Sequence, residues 1–109
     1  MSASEERASA IFAALADPTR RQILGLVAKA DGVSASALAA RSTVSRQAIG
    51  KHLGVLAEAG LVDSSREGRE VLFRVRAAPL RDTAAWLLAR ASSWDDLLAA
   101  LKARAERDR

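Results

Sequence analysis

Apolar residues recur along this chain with two different periods, and the change from one to the other divides it. Ala8, Ile11, Phe12 and Leu15 fall on one face of a helix that opens with a polar cap at Ser4 and carries Glu5 and Glu6 where a helix N-terminus favours negative charge. Asp17-Pro18 reads as a cap followed by proline in the first helical position, opening a second helix through Ile23, Leu24 and Val27 to about Ala30, with Asp31-Gly32 ending it. Ser34 caps a short third helix carrying Leu38 and Ala39 that stops near Ser42, and Thr43-Val44 leads tightly into a fourth, from Ser45 to Gly60. In that fourth helix Ile49, Leu53 and Leu56 form one buried stripe, Ser45 is the cap, and Gly60 supplies the left-handed residue that ends it. Two helices joined by so short a turn make a helix-turn-helix.

After Gly60 the period drops to two. Val71, Phe73 and Val75 alternate with Glu70, Leu72, Arg74 and Arg76, which predicts a half-buried strand, and Leu61 to Arg66 is its partner across a turn at Glu67-Gly68. A hairpin directly behind such a helix is a wing. The helical period then returns at Pro79. Leu80, Ala84, Leu87, Ala91, Trp94, Leu98, Leu101 and Ala105 alternate spacings of four and three straight through Ser92-Ser93. One helix of roughly 28 residues is expected, about 42 Å long, although Ser93 with Asp96 also makes a capping pattern that leaves a break there open. A three-helix head cannot cover so long an apolar stripe. The simplest cover is a second copy, with Phe12, Leu80, Trp86, Leu87, Trp94, Leu98 and Leu101 at a two-fold interface and the first helix packed alongside. Fold class follows: mainly α with a small β-hairpin, one winged helix-turn-helix domain over 1–109 that dimerises through its terminal helices. Its helix-turn-helix spans about 34–60, its wing about 61–76 and its dimerisation helix about 79–107.

Composition narrows the chemistry. The chain has 109 residues, 50% of them hydrophobic, enough for one small domain, and no cysteine, which excludes disulfides and thiolate metal sites. No run approaches the roughly 18 apolar residues of a membrane span, and the start is acidic and polar where a secretion signal is basic and then apolar, so a cytoplasmic protein is expected. Net charge is +4, and its placement says more than its size: Arg41, Arg46 and Lys51 lie in a stretch from Arg41 to Gly54 without an acid, whereas Met1 to Asp31 sums to zero. An exposed, acid-free helix face suits a polyanion. Arg46 and Gln47, in the first turn after the Ser45 cap, carry side chains that can read base edges; Lys51 and the wing-tip residues Arg66 and Arg69 suit phosphates. Gly50 would let the helix approach the DNA backbone closely. His52 lies at the edge of the buried stripe, where a DNA contact and a polar core position are equally open. Arg20 and Arg21 remain open between a pairing with Asp17 and a phosphate. The two tryptophans suit packing better than an effector pocket.

No catalytic set, phosphate-binding glycine loop or cofactor motif is present, and one histidine cannot build a transition-metal site, so neither an enzyme nor a metal sensor is expected. The competing reading is a winged-helix module that has lost specific DNA binding and uses the same surfaces for protein partners.

At this point several phrases resemble a known family. Phe12 through Leu24 (FAALADPTRRQIL), Val44 through Leu53 (VSRQAIGKHL), Ala59-Gly60-Leu61-Val62 and Arg66-Glu67-Gly68-Arg69-Glu70 are similar to the ArsR/SmtB family of bacterial transcriptional regulators, over about residues 8 to 105. The tail, with Pro79-Leu80, Trp86-Leu87 and Trp94 to Lys102, resembles the branch without metal ligands. The resemblance implies a homodimeric winged-helix repressor that binds double-stranded DNA at an inverted-repeat operator. Ala37, Ser42-Thr43 and Gly50 depart from the common family pattern, which bears on operator sequence and not on fold. The inducing signal stays open among a small organic effector between the last helices, a protein partner, and autoregulated concentration alone.

Overall fold

Ser2, not Ser4, caps the first helix: its Oγ accepts the Glu5 N–H at 3.2 Å, and helix α1 runs Ala3–Leu15. The computed structural model describes residues 2–108, so Met1 and Arg109 lie outside the described residues. Asp17 caps α2 (Pro18–Ala28) as expected, with Pro18 at the first helical position. Ser34 caps α3 (Ala35–Ala40), Ser45 caps α4 (Arg46–Glu58), and Gly60 follows α4 with φ 81°.

The hairpin is present but shifted. Strands β2 (Val62–Glu67) and β3 (Glu70–Val75) pair with Val62 opposite Val75 and Glu67 opposite Glu70, so the turn is Gly68-Arg69 and not Glu67-Gly68. Gly68 alone of the two has positive φ, 63°, as the first central residue of a type II′ turn requires. A third strand went unforeseen: β1 (Val33–Ser34) pairs antiparallel with β3, giving the sheet order β1-β3-β2. That strand alters the expected burial of β3. Leu72 and Arg74 are half-buried like Phe73 and Val75, while Val71 near the tip is exposed, because β1 and α2 cover β3 only toward its base.

One core holds these elements together. Ile11, Ile23, Val27, Leu38, Ile49, Leu53, Leu56 and Leu61 are the large side chains with almost no exposure. Arg74 pins the sheet over it, reaching Glu67 at 3.1 Å, Ser65 at 3.0 Å and Asp31 at 3.4 Å. Gly32, with φ 90°, leaves the room: a Cβ there would stand 2.7 Å from an Arg74 guanidinium nitrogen.

The last helix, α5, is one unbroken rod, Ala77–Arg107, 31 residues or about 46 Å. It starts two residues before Pro79 and has no side-chain cap at its start. Ser93 does not cap a new helix; its Oγ donates to the Ala89 carbonyl at 3.0 Å, and the rod continues. Only its first half packs on its own chain, chiefly on α1, and every described side chain from Leu87 onward is exposed. The molecule is therefore long, 71 by 27 by 23 Å.

Candidate nucleic-acid interface

The connection into α4 is made by side chains. The Ser42 hydroxyl accepts the Val44 N–H at 3.1 Å, turning the chain without a glycine or proline, and the Ser45 hydroxyl accepts the Ala48 N–H at 3.1 Å. This fixes the rotation of α4. Ile49, Leu53 and Leu56 face the core with no exposure, which leaves Arg46, Gln47 and Lys51 in solvent and Ser45 exposed at the tip. Between α3, α4 and the wing lies a groove of about 430 Å³, whose walls include Ser36, Arg46, Gly50, Arg69, Glu70 and Phe73. Arg46 Nε reaches the Ser36 hydroxyl at 3.4 Å, and a Cβ on Gly50 would lie 3.3 Å from Arg46 Nη1. Gly50 thus makes room for the Arg46 guanidinium.

The wing brings Arg69 to this groove and leaves Arg66 exposed on β2 outside it. Glu67, the acid between them, is held by Arg74, whose own pKa that carboxylate pushes upward. Its charge is thereby matched locally. Gln47 and Lys51 do not line the groove, and they extend the exposed face of α4 beside it.

His52 is half-buried and faces the start of α2, near Asp17. Burial pushes the Asp17 carboxyl up, but the N–H groups of Thr19 and Arg20, at 2.7 and 3.3 Å, and the charges of Arg20 and His52 hold it below its ordinary value. Arg20 and Arg21 have a role that the sequence left open. Arg20 donates to the carbonyls of Ala14 at 2.6 Å and Ala13 at 3.2 Å, and Arg21 to that of Leu15 at 2.5 Å. Both close the free carbonyl end of α1, where a helix dipole favours cations. Ser36 went unnoticed in the sequence because its partner Arg46 lies ten residues away, and Arg74, read there only as an alternating strand residue, gave no sign of its reach across the sheet to Asp31.

Of the residues expected between copies, Leu87, Trp94, Leu98 and Leu101 are exposed on α5. Leu80 is half-buried against its own core, and Trp86, also half-buried, meets Phe12 edge-on with ring centroids 6.2 Å apart. No group of three or more potential metal ligands occurs among the described residues, and none of their helices is long and apolar enough to cross a membrane.

Comparison with known proteins places this geometry. A helix-turn-helix domain family matches residues 15–65. The transcriptional repressor SdpR of Bacillus subtilis is 32% identical over 78 residues, 72% of this chain and 86% of SdpR. An ArsR-like transcriptional regulator from Rhodococcus sp. RHA1 superposes with a TM-score of 0.88 at 44% identity, covering 93% of this chain and 94% of that one. The homodimeric winged helix-turn-helix DNA-binding domain of Mb0332 from Mycobacterium bovis, described as a possible ArsR-family regulator, gives a TM-score of 0.65 at 25% identity over 79% of this chain and 80% of its own.

Proposed function

The chain belongs to the ArsR family of winged helix-turn-helix transcriptional regulators, and from that premise we propose that it is a homodimeric repressor of an inverted-repeat operator that does not sense metals. The observation that carries the reading is the exposed, acid-free first half of α4, with Arg46, Gln47 and Lys51 outward and Arg46 sharing a groove with Arg69 of the wing. Arg46 and Gln47 specify bases in the major groove; Lys51, Arg66 and Arg69 bind phosphates. Ser45 sets the docking end of the helix, and Gly50 gives Arg46 its path. His52, half-buried near Asp17, lies on the side of α4 that meets the start of α2.

Dimerisation is supported by the α5 face, where Trp94 is 60% exposed in the single chain and continues into Leu87, Leu98 and Leu101. Two copies joined along this face present their α4 helices to successive major grooves, about 34 Å apart. The want of cysteine and the single histidine support a signal other than a transition metal.

The test is selection of bound sequences from a random double-stranded pool, followed by titration of the enriched sequence at two salt concentrations. A palindrome bound at nanomolar concentration with a steep salt dependence is expected. Absence of enrichment, with affinity at the non-specific level, would replace the operator by a protein partner for the same surface.

A further inference from the structure

A groove of about 390 Å³ runs along α2 and ends at the turn that joins α3 to α4. Thr19, Gln22 and Lys29 of α2 follow it for about 15 Å, and Arg41 and Thr43 close it from the turn. No residue of α1 or α5 lines it, so it stands outside the surface of the proposed dimer. Its walls carry two cations and no acid. Three other grooves each include a carboxylate: Asp82 between α1 and α5, Glu70 beside the wing, and Glu58 where α4 meets α1.

The two cations are free to act. Lys29 and Arg41 are exposed and form no ion pair among the described residues. The acids nearest to them along the chain are engaged elsewhere, Asp17 by the N–H groups of Thr19 and Arg20 and Asp31 by Arg74 at 3.4 Å.

The place of this groove beside α4 decides what it faces. Gly50 lines the wing-side groove and His52 meets the start of α2, and at 100° per residue they lie 200° apart around α4 with Lys51 between them. The outward face of α4 is therefore flanked on both sides, by Arg46 and Arg69 toward the wing and by Arg41 and Lys29 toward α2. The second flank is continuous with the first turn of α4, since Thr43 stands two residues before the Ser45 cap. A helix lying in a major groove has a phosphate backbone on each side of it. A lone surface lysine is an ordinary solvated side chain. Two unpaired cations with hydroxyl and amide donors, in an acid-free groove beside the reading helix, complement such a backbone.

We propose that the groove between α2 and the α3–α4 turn is a second phosphate-binding surface, which seats the DNA strand on the side of the major groove away from the wing. Arg41 and Lys29 supply the charge, and Thr43 and Gln22 donate hydrogen bonds to phosphate oxygens. Such contacts fix the docking angle of α4 and carry no base preference of their own. The proposal rests on the DNA-binding reading and extends it beyond α4 and the wing.

The test uses the duplex enriched by selection, a random duplex, and the Lys29→Gln/Arg41→Gln variant, its fold checked by circular dichroism. The variant is expected to bind both duplexes at least about tenfold more weakly. The slope of log affinity against log salt should fall in magnitude by about 3 to 4, for two cations on each of two subunits. Single phosphates of the enriched duplex are then replaced by uncharged methylphosphonates. Some replacements that weaken the wild-type chain are expected to be silent in the variant, at positions different from those silenced by Arg69→Gln. Thr43→Glu puts a repelling carboxylate in the same groove from an exposed turn position; it is expected to weaken both duplexes alike and serves if the double variant does not fold. If the wild-type chain enriches no sequence, the DNA-binding reading falls and this proposal with it. If the wild-type chain binds its operator but the folded variants keep its affinity, or lose affinity without silencing any phosphate, this proposal alone is overturned.

Discussion

Gly50 sits in the interior of α4, where glycine costs about 0.5–1 kcal/mol relative to alanine, and the space of its missing Cβ adjoins the Arg46 guanidinium. Gly50→Ala is therefore expected to raise the melting temperature by a few degrees while relaxing base preference where Arg46 docks, which thermal denaturation and sequence selection on the same variant would separate. Arg46 and Lys51 lie on one exposed face but differ in role. Arg46→Ala should lose about 1–3 kcal/mol of discrimination at its base, whereas Lys51→Ala should weaken all sequences alike and flatten the salt slope; equal losses on specific and non-specific DNA in Arg46→Ala would refute the assignment. Asp17 makes a prediction about acid. Its carboxyl is held low in the folded chain, so on acidification the unfolded state takes up the proton first, and the stability present above the ordinary carboxylate range drains away as pH falls through the folded value. Asp17→Asn, which retains the cap, should flatten the fall in melting temperature below about pH 4. At this scale the sequence was legible where periodicity decides exposure, as for Arg46, Gln47 and Lys51. It was silent where a contact joins distant residues, as with Arg74 and Asp31, or spans a helix joint, as with Arg20 and the end of α1.

Elements were legible in proportion to how local their causes are. Every cap before α5 except that of α1 could be read one residue at a time, because a hydroxyl or carboxylate at the N-cap bonds an N–H two or three positions on. The capping pattern at Ser93 misleads for a similar reason: the same hydroxyl can turn back to the carbonyl four residues earlier, as it does to Ala89. Strand β1 could not be read, since two residues have no period of their own and exist as a strand only through Phe73 and Leu72 opposite them. The wing turn slipped by one residue because a glycine next to either neighbour satisfies a two-residue hairpin, and only its φ reveals which. For α5 the consequence concerns assembly. Leu98 is 47% exposed, so Leu98→Asp should leave the fold of the single chain intact by circular dichroism and weaken dimerisation by at least about 30-fold in sedimentation velocity.

At the scale of the molecule, a compact head and a protruding rod divide the work. The fold class and the single long helix were readable because the apolar phase runs unbroken from Leu80 to Ala105, but the groove between α1 and α5 was not, since it is made by two helices far apart in sequence. If the proposed two-fold pair sets the separation of the α4 helices, inserting about 5 bp between half-sites should turn one of them to the opposite side of the duplex and abolish specific binding, while about 10 bp should restore part of it; mobility shift on the three operators decides. The head is bolted to α1 by the two arginines of α2, and α1 lies along the base of α5. Mechanically this is a lever clamped near Thr83. A tilt of only about 5° at the clamp carries the free tip at Arg107 through about 3 Å, so the stiffness of that one joint sets how much variation in operator length a pair of such molecules can tolerate.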